Sequence, residues 1–175
     1  MADDESRSGI PIVRGVESFD SFYAAEHHKV VGLAYVLSGH SRLAEDIAQE
    51  AFIAAFRDWE RVGRLDQPGA WVRRVVANKA VSARRRATAE MKAVLRLGGS
   101  QASDAVTNLP DSASEVLDAV RRLPNRQAQT VALHYWDGMG VEEIAGVLGI
   151  STVSVHTHLQ RARRTLARRL GEEFT

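Results

Sequence analysis

Cysteine is absent from this chain of 175 residues. Its absence excludes disulfide bonds, thiolate metal sites and cysteine nucleophiles. No apolar run approaches the ~18 residues of a membrane-spanning helix, and the polar, acidic start MADDESRSGIPIVRG lacks the apolar segment of a signal peptide. We therefore expect a cytoplasmic protein that does not insert into a membrane, with a disordered leader over residues 1–15.

Sequence signatures of independent catalysis are also missing. The chain has no glycine-rich phosphate loop, no nucleophile elbow and no HExxH motif. The pairs His27-His28 and His156-x-His158 lack a carboxylate or thiolate partner at a zinc-like spacing, and such near neighbours on a helix point to different sides. We predict no catalytic residues, no bound metal and no cofactor.

What the chain does have is helical periodicity almost throughout, without a convincing alternating strand pattern. Leu43, Ile47, Ala51 and Ala55, for example, recur at steps of four and form one apolar stripe. The stretch LGGSQASDAVTNL is rich in glycine and small polar residues, which is typical of an interdomain linker. The sequence therefore predicts an all-α protein with two small helical domains, at 16–92 and 112–171, joined by a flexible linker at 93–111.

Charge is segregated along the chain although the formal net charge is only +1. Residues 1–60 contain eleven acidic and five basic residues, whereas residues 71–92 contain seven basic residues and a single acid. Residues 151–170 contain five arginines and no acid. Two separate basic zones indicate two contacts with a polyanion.

The most specific pattern is VEEIAGVLGISTVSVHTHLQRARR, from Val141 to Arg164. Apolar residues at i, i+3, i+4 and i+7 predict a short helix that ends at Gly149, and Ser151 or Thr152 can cap the next helix. The second helix has an apolar stripe of its own, made of Val155, Leu159, Ala162 and Leu166. Its opposite side carries hydroxyl, amide and guanidinium groups that can bond base edges and phosphates. Helix pairs with a solvated charged face are common, but the one-signed charge favours a helix-turn-helix that binds DNA.

At this point the residues resemble a known family. LPNRQAQTVALHYWDGMGVEEIAGVLGISTVSVHTHLQRARRTL resembles region 4 of the extracytoplasmic-function (ECF) sigma factors of bacterial RNA polymerase. LAEDIAQEAFIAAFR resembles region 2.2 of that family, and AWVRRVVANKAVSARRR resembles its regions 2.3 and 2.4. The resemblance implies a sigma factor that binds core RNA polymerase, directs it to specific promoters and helps to open promoter DNA.

The same resemblance implies three sets of site residues. The set expected to bind core polymerase is Glu45, Asp46, Gln49, Glu50 and Phe52. The set expected to bind the melted minus-ten element is Arg64, Asp66, Gln67, Arg74, Asn78, Lys79, Ser82 and Arg85. The set expected to bind the minus-thirty-five element is Ser151, Thr152, Ser154, His156, Thr157, Gln160, Arg161, Arg163 and Arg164. Trp71 could stack on a base, although a core position is favoured.

The chain departs from the family pattern in the recognition helix. His156 and His158 stand where the family often has lysine or arginine, and Val153 stands where it often has a small residue. Histidines weaken the attraction for phosphate near neutral pH because their ordinary pKa is about 6.5. The acid that the family commonly has near Ser82 is also missing.

Two other functions remain open from the sequence. VSVHTHLQRA also resembles the recognition helix of response-regulator output domains, so a stand-alone helix-turn-helix transcriptional regulator is the alternative. A module that binds only other proteins is a third hypothesis. The sigma resemblance further implies an anti-sigma factor as a regulatory partner, beside core polymerase and promoter DNA.

Overall fold

The computed structural model describes residues 18–96 and 111–171, and every regular element within them is helical. This confirms the all-α prediction. The expected leader and most of the expected linker lie outside the described residues. The elements are α1 (Phe19–Ser38), α2 (Ser41–Arg57), α3 (Trp59–Val62), α4 (Pro68–Arg96), α5 (Asp111–Arg121), α6 (Asn125–Val131), a π-helical turn (Ala132–Trp136), α7 (Val141–Leu148) and α8 (Thr152–Leu170).

The first domain packs α1, α2 and α4 around an apolar core. Ser18 caps α1, because its Oγ accepts a hydrogen bond from the backbone N–H of Ser21 at 3.2 Å. Gly39 ends α1 with a φ of 89°, a conformation that glycine adopts without strain. Helix α2 begins at Ser41, and the residue at its N-cap, His40, makes no capping hydrogen bond with its side chain.

The longest described helix is α4, which begins at Pro68. Proline is favoured in the first turn because the N–H it lacks would have no helical partner there. The helix buries Val72, Val76 and Ala80. It continues to Arg96, four residues into the stretch expected to be linker.

The second domain consists of α5 to α8 and contains the predicted helix-turn-helix. Ala128, Val131 and Ala132 form a buried apolar stripe, whereas Tyr135, which follows at the same helical spacing, is 59% exposed. The cause is the π-helical turn, in which the N–H of Asp137 donates to the carbonyl of Ala132 at 3.2 Å. The wider turn shifts the helical register, so that Tyr135 leaves the apolar stripe.

The two domains pack against each other through a continuous apolar core. Helix α4 contacts α7, and α1 contacts both α5 and the π-helical turn. At the edge of this contact the Trp136 ring, which is 53% exposed, lies against Gly32 of α1. None of the described helices is both long and apolar enough to cross a membrane.

Candidate binding surfaces

The first surface is the acidic face of α2, formed by Glu45, Asp46, Gln49 and Glu50. All four residues are exposed, because the apolar stripe of α2 buries the opposite side of the helix against α1 and α4. Four of the five residues predicted to bind core polymerase are therefore brought together on one accessible face. Their role as a binding set stays a prediction.

Phe52, the fifth member of that set, is only 2% exposed. Its ring packs edge-on against Phe22 and Tyr23, with centroids 6.1 and 4.8 Å apart. The structure therefore does not place Phe52 on the acidic face as a contact residue. Phe52 packs between α2 and α1, where an aromatic side chain stabilises the helix–helix contact mainly through the apolar area that it buries.

An apolar patch that the sequence reasoning did not single out continues this face. Phe56 is 62% exposed, Ile53 is 42% exposed and Tyr23 is 39% exposed. Ile53 and Phe56 lie one turn apart on α2, and Phe19 contacts both Phe56 and Tyr23 with ring centroids 5.0 and 6.1 Å away. Exposed aromatic residues beside charged ones are typical of protein-binding surfaces. The sequence contained a signal for this patch, because helical spacing places the apolar Ile53 on the same side of α2 as Asp46 and Glu50.

The second surface is the basic face of α4, formed by Arg74, Asn78, Ser82 and Arg85, which are all exposed. The residues Arg64, Asp66 and Gln67 are exposed on the loop that precedes this helix. Trp71 is half-buried rather than fully in the core, and the Arg61 guanidinium lies 6.0 Å from its ring.

A groove of about 510 Å³ runs between α2 and α4 beside the basic face. Asn78, Lys79 and Ser82 line it from α4, while Leu43 and Ile47 form part of its apolar floor. The carboxylates of Glu50 and Glu90 line the groove as well, and Glu50 pairs with the Lys79 ammonium at 2.6 Å. The apolar floor with amide and hydroxyl groups therefore suits an unpaired base better than a phosphate. Three of the predicted minus-ten residues therefore share one groove.

Two arginines of the mid-chain basic zone do not contribute to this surface. Arg73 is buried, and its guanidinium is bonded to Asp137 and, at 2.6 Å, to Glu26. Arg84 donates to the backbone carbonyl of Arg121 and to Asn125 at 2.9 Å. These two charges bond within the protein, and neither residue belongs to the set predicted to bind the minus-ten element.

The electrostatics of the two arginines differ. Although burial alone would lower the pKa of Arg73, the hydrogen bond and charge of Asp137, together with the charge and hydrogen bond of Glu26, hold it above its ordinary value. Burial and the neighbouring Arg121 lower the pKa of Arg84. The contact between Arg73 and Asp137 had no local sequence signal, because it joins residues 64 positions apart.

The third surface is the helix-turn-helix, which has the predicted local geometry. Gly149 ends α7 with a φ of 64°, and Ser151 caps α8 by accepting a hydrogen bond from the N–H of Ser154 at 3.1 Å. The N–H of Gly140 donates to the Glu143 carboxylate at 2.7 Å and so fixes the start of α7. The predicted stripe of α8 is buried.

The outward face of α8 carries the residues predicted for the minus-thirty-five element. Those that are exposed are Ser151, Thr152, His156, Gln160, Arg161, Arg163 and Arg164, while Ser154 and Thr157 are half-buried. A residue outside α8 orients Arg163, because the Arg163 Nε donates a hydrogen bond to the Tyr135 hydroxyl at 2.8 Å. The turn that exposes Tyr135 thus also positions an arginine of this face.

His158 differs from the exposed members of α8. It is half-buried, and its Nδ1 has no hydrogen-bond partner among the described residues. Burial, with smaller effects of Arg161 and Arg126, lowers the pKa of His158 below its ordinary value. The environment of this side chain therefore favours the neutral imidazole over the imidazolium.

Comparison with known families matches both domains. The family model for sigma-70 region 2 matches residues 22–90, which include α2 and most of α4. The model for sigma-70 region 4 matches residues 113–166, which include the helix-turn-helix. The fold and its surfaces thus define a two-domain protein of the sigma-70 type.

Similar proteins place the chain more narrowly within the sigma-70 class. The chain is 32% identical over 168 residues to the ECF RNA polymerase sigma factor BldN of Streptomyces coelicolor, covering 90% of this chain and 62% of that protein. It is 30% identical to the RNA polymerase sigma-E factor of the same organism, covering 73% of this chain and 71% of that protein. It is 29% identical to RfaY of Xanthomonas campestris, described as a probable RNA polymerase sigma factor, and spans 90% of this chain but 42% of RfaY. The chain belongs to the ECF sigma factor family.

Solved structures agree on the fold. The sigma factor RpoE of Bartonella quintana, in complex with the anti-sigma factor NepR, superposes with a TM-score of 0.72 over 89% of this chain and 98% of that chain. The two sequences are 20% identical, so the likeness concerns the arrangement of helices.

Proposed function

We propose that this protein is a dissociable sigma subunit of RNA polymerase. Its first domain binds core polymerase through the acidic face and apolar patch of α2, and takes the melted minus-ten element along the basic face of α4. Its second domain binds the minus-thirty-five element with α8. Core polymerase carries out the chemistry of RNA synthesis, in the cytoplasm.

The observation that supports this most strongly is the coexistence of two unlike surfaces in the first domain. The acidic face of α2 repels the DNA backbone, whereas the basic face of α4 attracts it. A stand-alone regulator of the response-regulator type needs only the helix-turn-helix and has no use for either. A sigma subunit needs both, because it must hold a protein and a DNA strand together.

Reconstituted transcription tests the proposal. The purified protein is mixed with core polymerase and a library of promoter fragments, and the 5′ ends of the transcripts are sequenced. Initiation at a defined set of sequences is expected. Tight binding to core polymerase without specific initiation would exclude the sigma function, and specific DNA binding without any affinity for the polymerase would favour the stand-alone regulator.

An anti-sigma factor is the regulatory partner that we propose for this family member. The RpoE structure contains such a partner for RpoE itself. A protein that binds the acidic face or the apolar patch would compete with core polymerase for the same residues. Competition between the candidate partner and core polymerase for the purified chain is the corresponding test.

A further inference from the structure

The outward side of α8 carries an apolar residue among its polar ones. Val153 is 72% exposed, more than any other large hydrophobic side chain that the structure describes. Val153, Thr157, Gln160 and Arg164 follow one another at steps of four, three and four residues and form a line along α8, which we call the outer line. At 3.6 residues per turn the outer line lies opposite the buried stripe of the helix. Val153 therefore adds little to the core of the domain.

The hydroxyl groups near Val153 already have partners within the helix. The Ser151 Oγ accepts a hydrogen bond from the N–H of Ser154 at 3.1 Å and lies 2.8 Å from the Ser154 hydroxyl. The Thr157 hydroxyl donates to the carbonyl of Val153 at 2.9 Å. What the half-buried Thr157 adds to the outer line is therefore chiefly its methyl group. Residues four apart on a helix are neighbours, so Val153 and Thr157 form a small apolar area, which we call the methyl spot.

The surroundings of the methyl spot favour DNA over a protein as its partner. Residues 151–170 contain five arginines and no acid, which attracts a phosphate backbone. A groove of about 630 Å³ begins at the methyl spot, and Gln160 and Arg163 line it farther along α8. Two side chains are also far less than the roughly 800 Å² that each partner buries in a standard protein interface. Isolated apolar residues are common on protein surfaces, so it is this setting that gives Val153 a meaning.

The chemistry of the major groove offers one apolar partner for such a spot. Base edges present hydrogen-bond donors and acceptors there, and the apolar group among them is the 5-methyl group of thymine. Helix-turn-helix proteins contact base edges with the first residues of the second helix, and Val153 and Thr157 are the second and sixth residues of α8. A donor or acceptor facing the methyl spot would lose its water without gaining a hydrogen bond. A thymine methyl group carries no such cost.

We propose that Val153 and Thr157 are specificity-determining residues, whose methyl groups contact the 5-methyl group of one thymine in the duplex element that α8 binds. Gln160 and Arg164 supply polar contacts farther along the same outer line. The inference rests on the proposed sigma function for identifying that duplex as the minus-thirty-five element. The contact itself is a property of α8 and duplex DNA. Its consequence is that the element contains a T·A pair opposite the methyl spot.

Uracil provides a direct test, because it pairs with adenine as thymine does and lacks only the 5-methyl group. The full chain in complex with core polymerase, and in parallel the full chain alone at low salt, each select sequences from a randomised duplex library. Each thymine of the enriched duplex is then replaced by deoxyuridine, one at a time, and binding is measured by titration of the labelled duplex. Replacement of the thymine opposite the methyl spot is expected to weaken binding roughly fourfold, the effect of one buried methyl group.

Three variants assign this effect to the methyl spot. Val153→Ala removes the apolar contact from an exposed position and keeps a good helix former, so the ratio of thymine to uracil affinity is expected to fall to about one. Thr157→Ser keeps the hydroxyl bonded to the Val153 carbonyl and removes only the methyl group, so the ratio is expected to lie between those of the parent and Val153→Ala. Thr165→Ser is the matched control. The Thr165 hydroxyl makes the same kind of bond, to the Arg161 carbonyl at 3.1 Å, but lies off the outer line, so the ratio is expected to stay unchanged.

The outcomes separate this inference from the sigma function. An enriched duplex without a sensitive thymine, or an equal ratio in the parent and in Val153→Ala, would overturn the thymine contact, and so would the absence of enrichment in both selections. A Val153→Ala variant that keeps the ratio but loses affinity for core polymerase would assign the methyl spot to a protein contact instead. Enrichment by the chain alone, with no affinity for core polymerase, would exclude the sigma function. The ratio measured on that duplex would then still decide the role of Val153.

Discussion

The Lys79 ammonium lies 2.6 Å from the Glu50 carboxylate and joins the basic face of α4 to the acidic face of α2. Both side chains are largely exposed, at 44% and 61%, so the pair itself adds little to stability. Its consequence is electrostatic, because it partly neutralises one residue of each predicted binding set. The polymerase-binding and DNA-binding surfaces of the first domain therefore share a boundary.

The first prediction concerns the effect of the Lys79–Glu50 ion pair on the two surfaces. Glu50→Gln should strengthen binding of a single-stranded minus-ten oligonucleotide severalfold, because it releases Lys79 and removes a negative charge beside the groove. Asp46→Asn, one turn earlier on the same face, should leave oligonucleotide binding nearly unchanged and weaken core polymerase binding more than Glu50→Gln does. Titrations of a labelled oligonucleotide and of core polymerase measure the two effects. Equal behaviour of the two variants would show that the ion pair has no influence on either surface.

The second prediction concerns the apolar patch. Phe56→Ala should reduce the affinity for core polymerase roughly tenfold, since exposed aromatic residues contribute strongly to protein interfaces. Because Phe56 is 62% exposed, the free energy of unfolding should fall by less than about 1 kcal/mol. Arg57→Ala, at the neighbouring exposed position, is the control. A loss of affinity that merely follows a loss of folded protein in a thermal melt would remove Phe56 from the interface.

These residues also show how far the sequence alone could reach. Helical periodicity and capping rules are local, so they predicted the two helices of the helix-turn-helix and a cap at Ser151 or Thr152, of which the structure shows Ser151. The buried ion pair between Arg73 and Asp137 joins residues 64 positions apart, and no local pattern encodes it. The sequence did not predict the π-helical turn either. One extra residue in a turn changes which side chains face the core, and the residue types along the chain do not reveal where this happens.

The third prediction concerns the recognition helix. Arg161→Ala should lower the affinity for promoter DNA roughly tenfold and reduce the slope of log affinity against log salt by about one, if the guanidinium contacts a phosphate. Arg168→Ala is the matched control, because Arg168 is exposed two turns further along α8 and lies outside the predicted set. Measurements at several salt concentrations with the complete polymerase complex separate the two. An unchanged slope with an unchanged affinity would contradict the role assigned to Arg161.

The last prediction concerns His158 and the stability of the second domain. Burial lowers the pKa of His158 in the folded chain. At a pH just below 6.5 the folded chain therefore keeps this imidazole neutral, whereas the unfolded chain, with an ordinary pKa of about 6.5, already binds a proton there. The unfolded state thus holds more protons just below pH 6.5, so the free energy of unfolding falls as the pH decreases from 6.5 towards the folded-state pKa. Above pH 6.5 this group has no effect. Thermal melts of the parent and of His158→Gln between pH 5 and pH 8 should show a smaller acid-induced decrease in Tm for the variant. His156→Gln, at the exposed position one half-turn away, is the control and should behave like the parent. An equal acid-induced decrease in Tm for all three proteins would contradict the burial of His158.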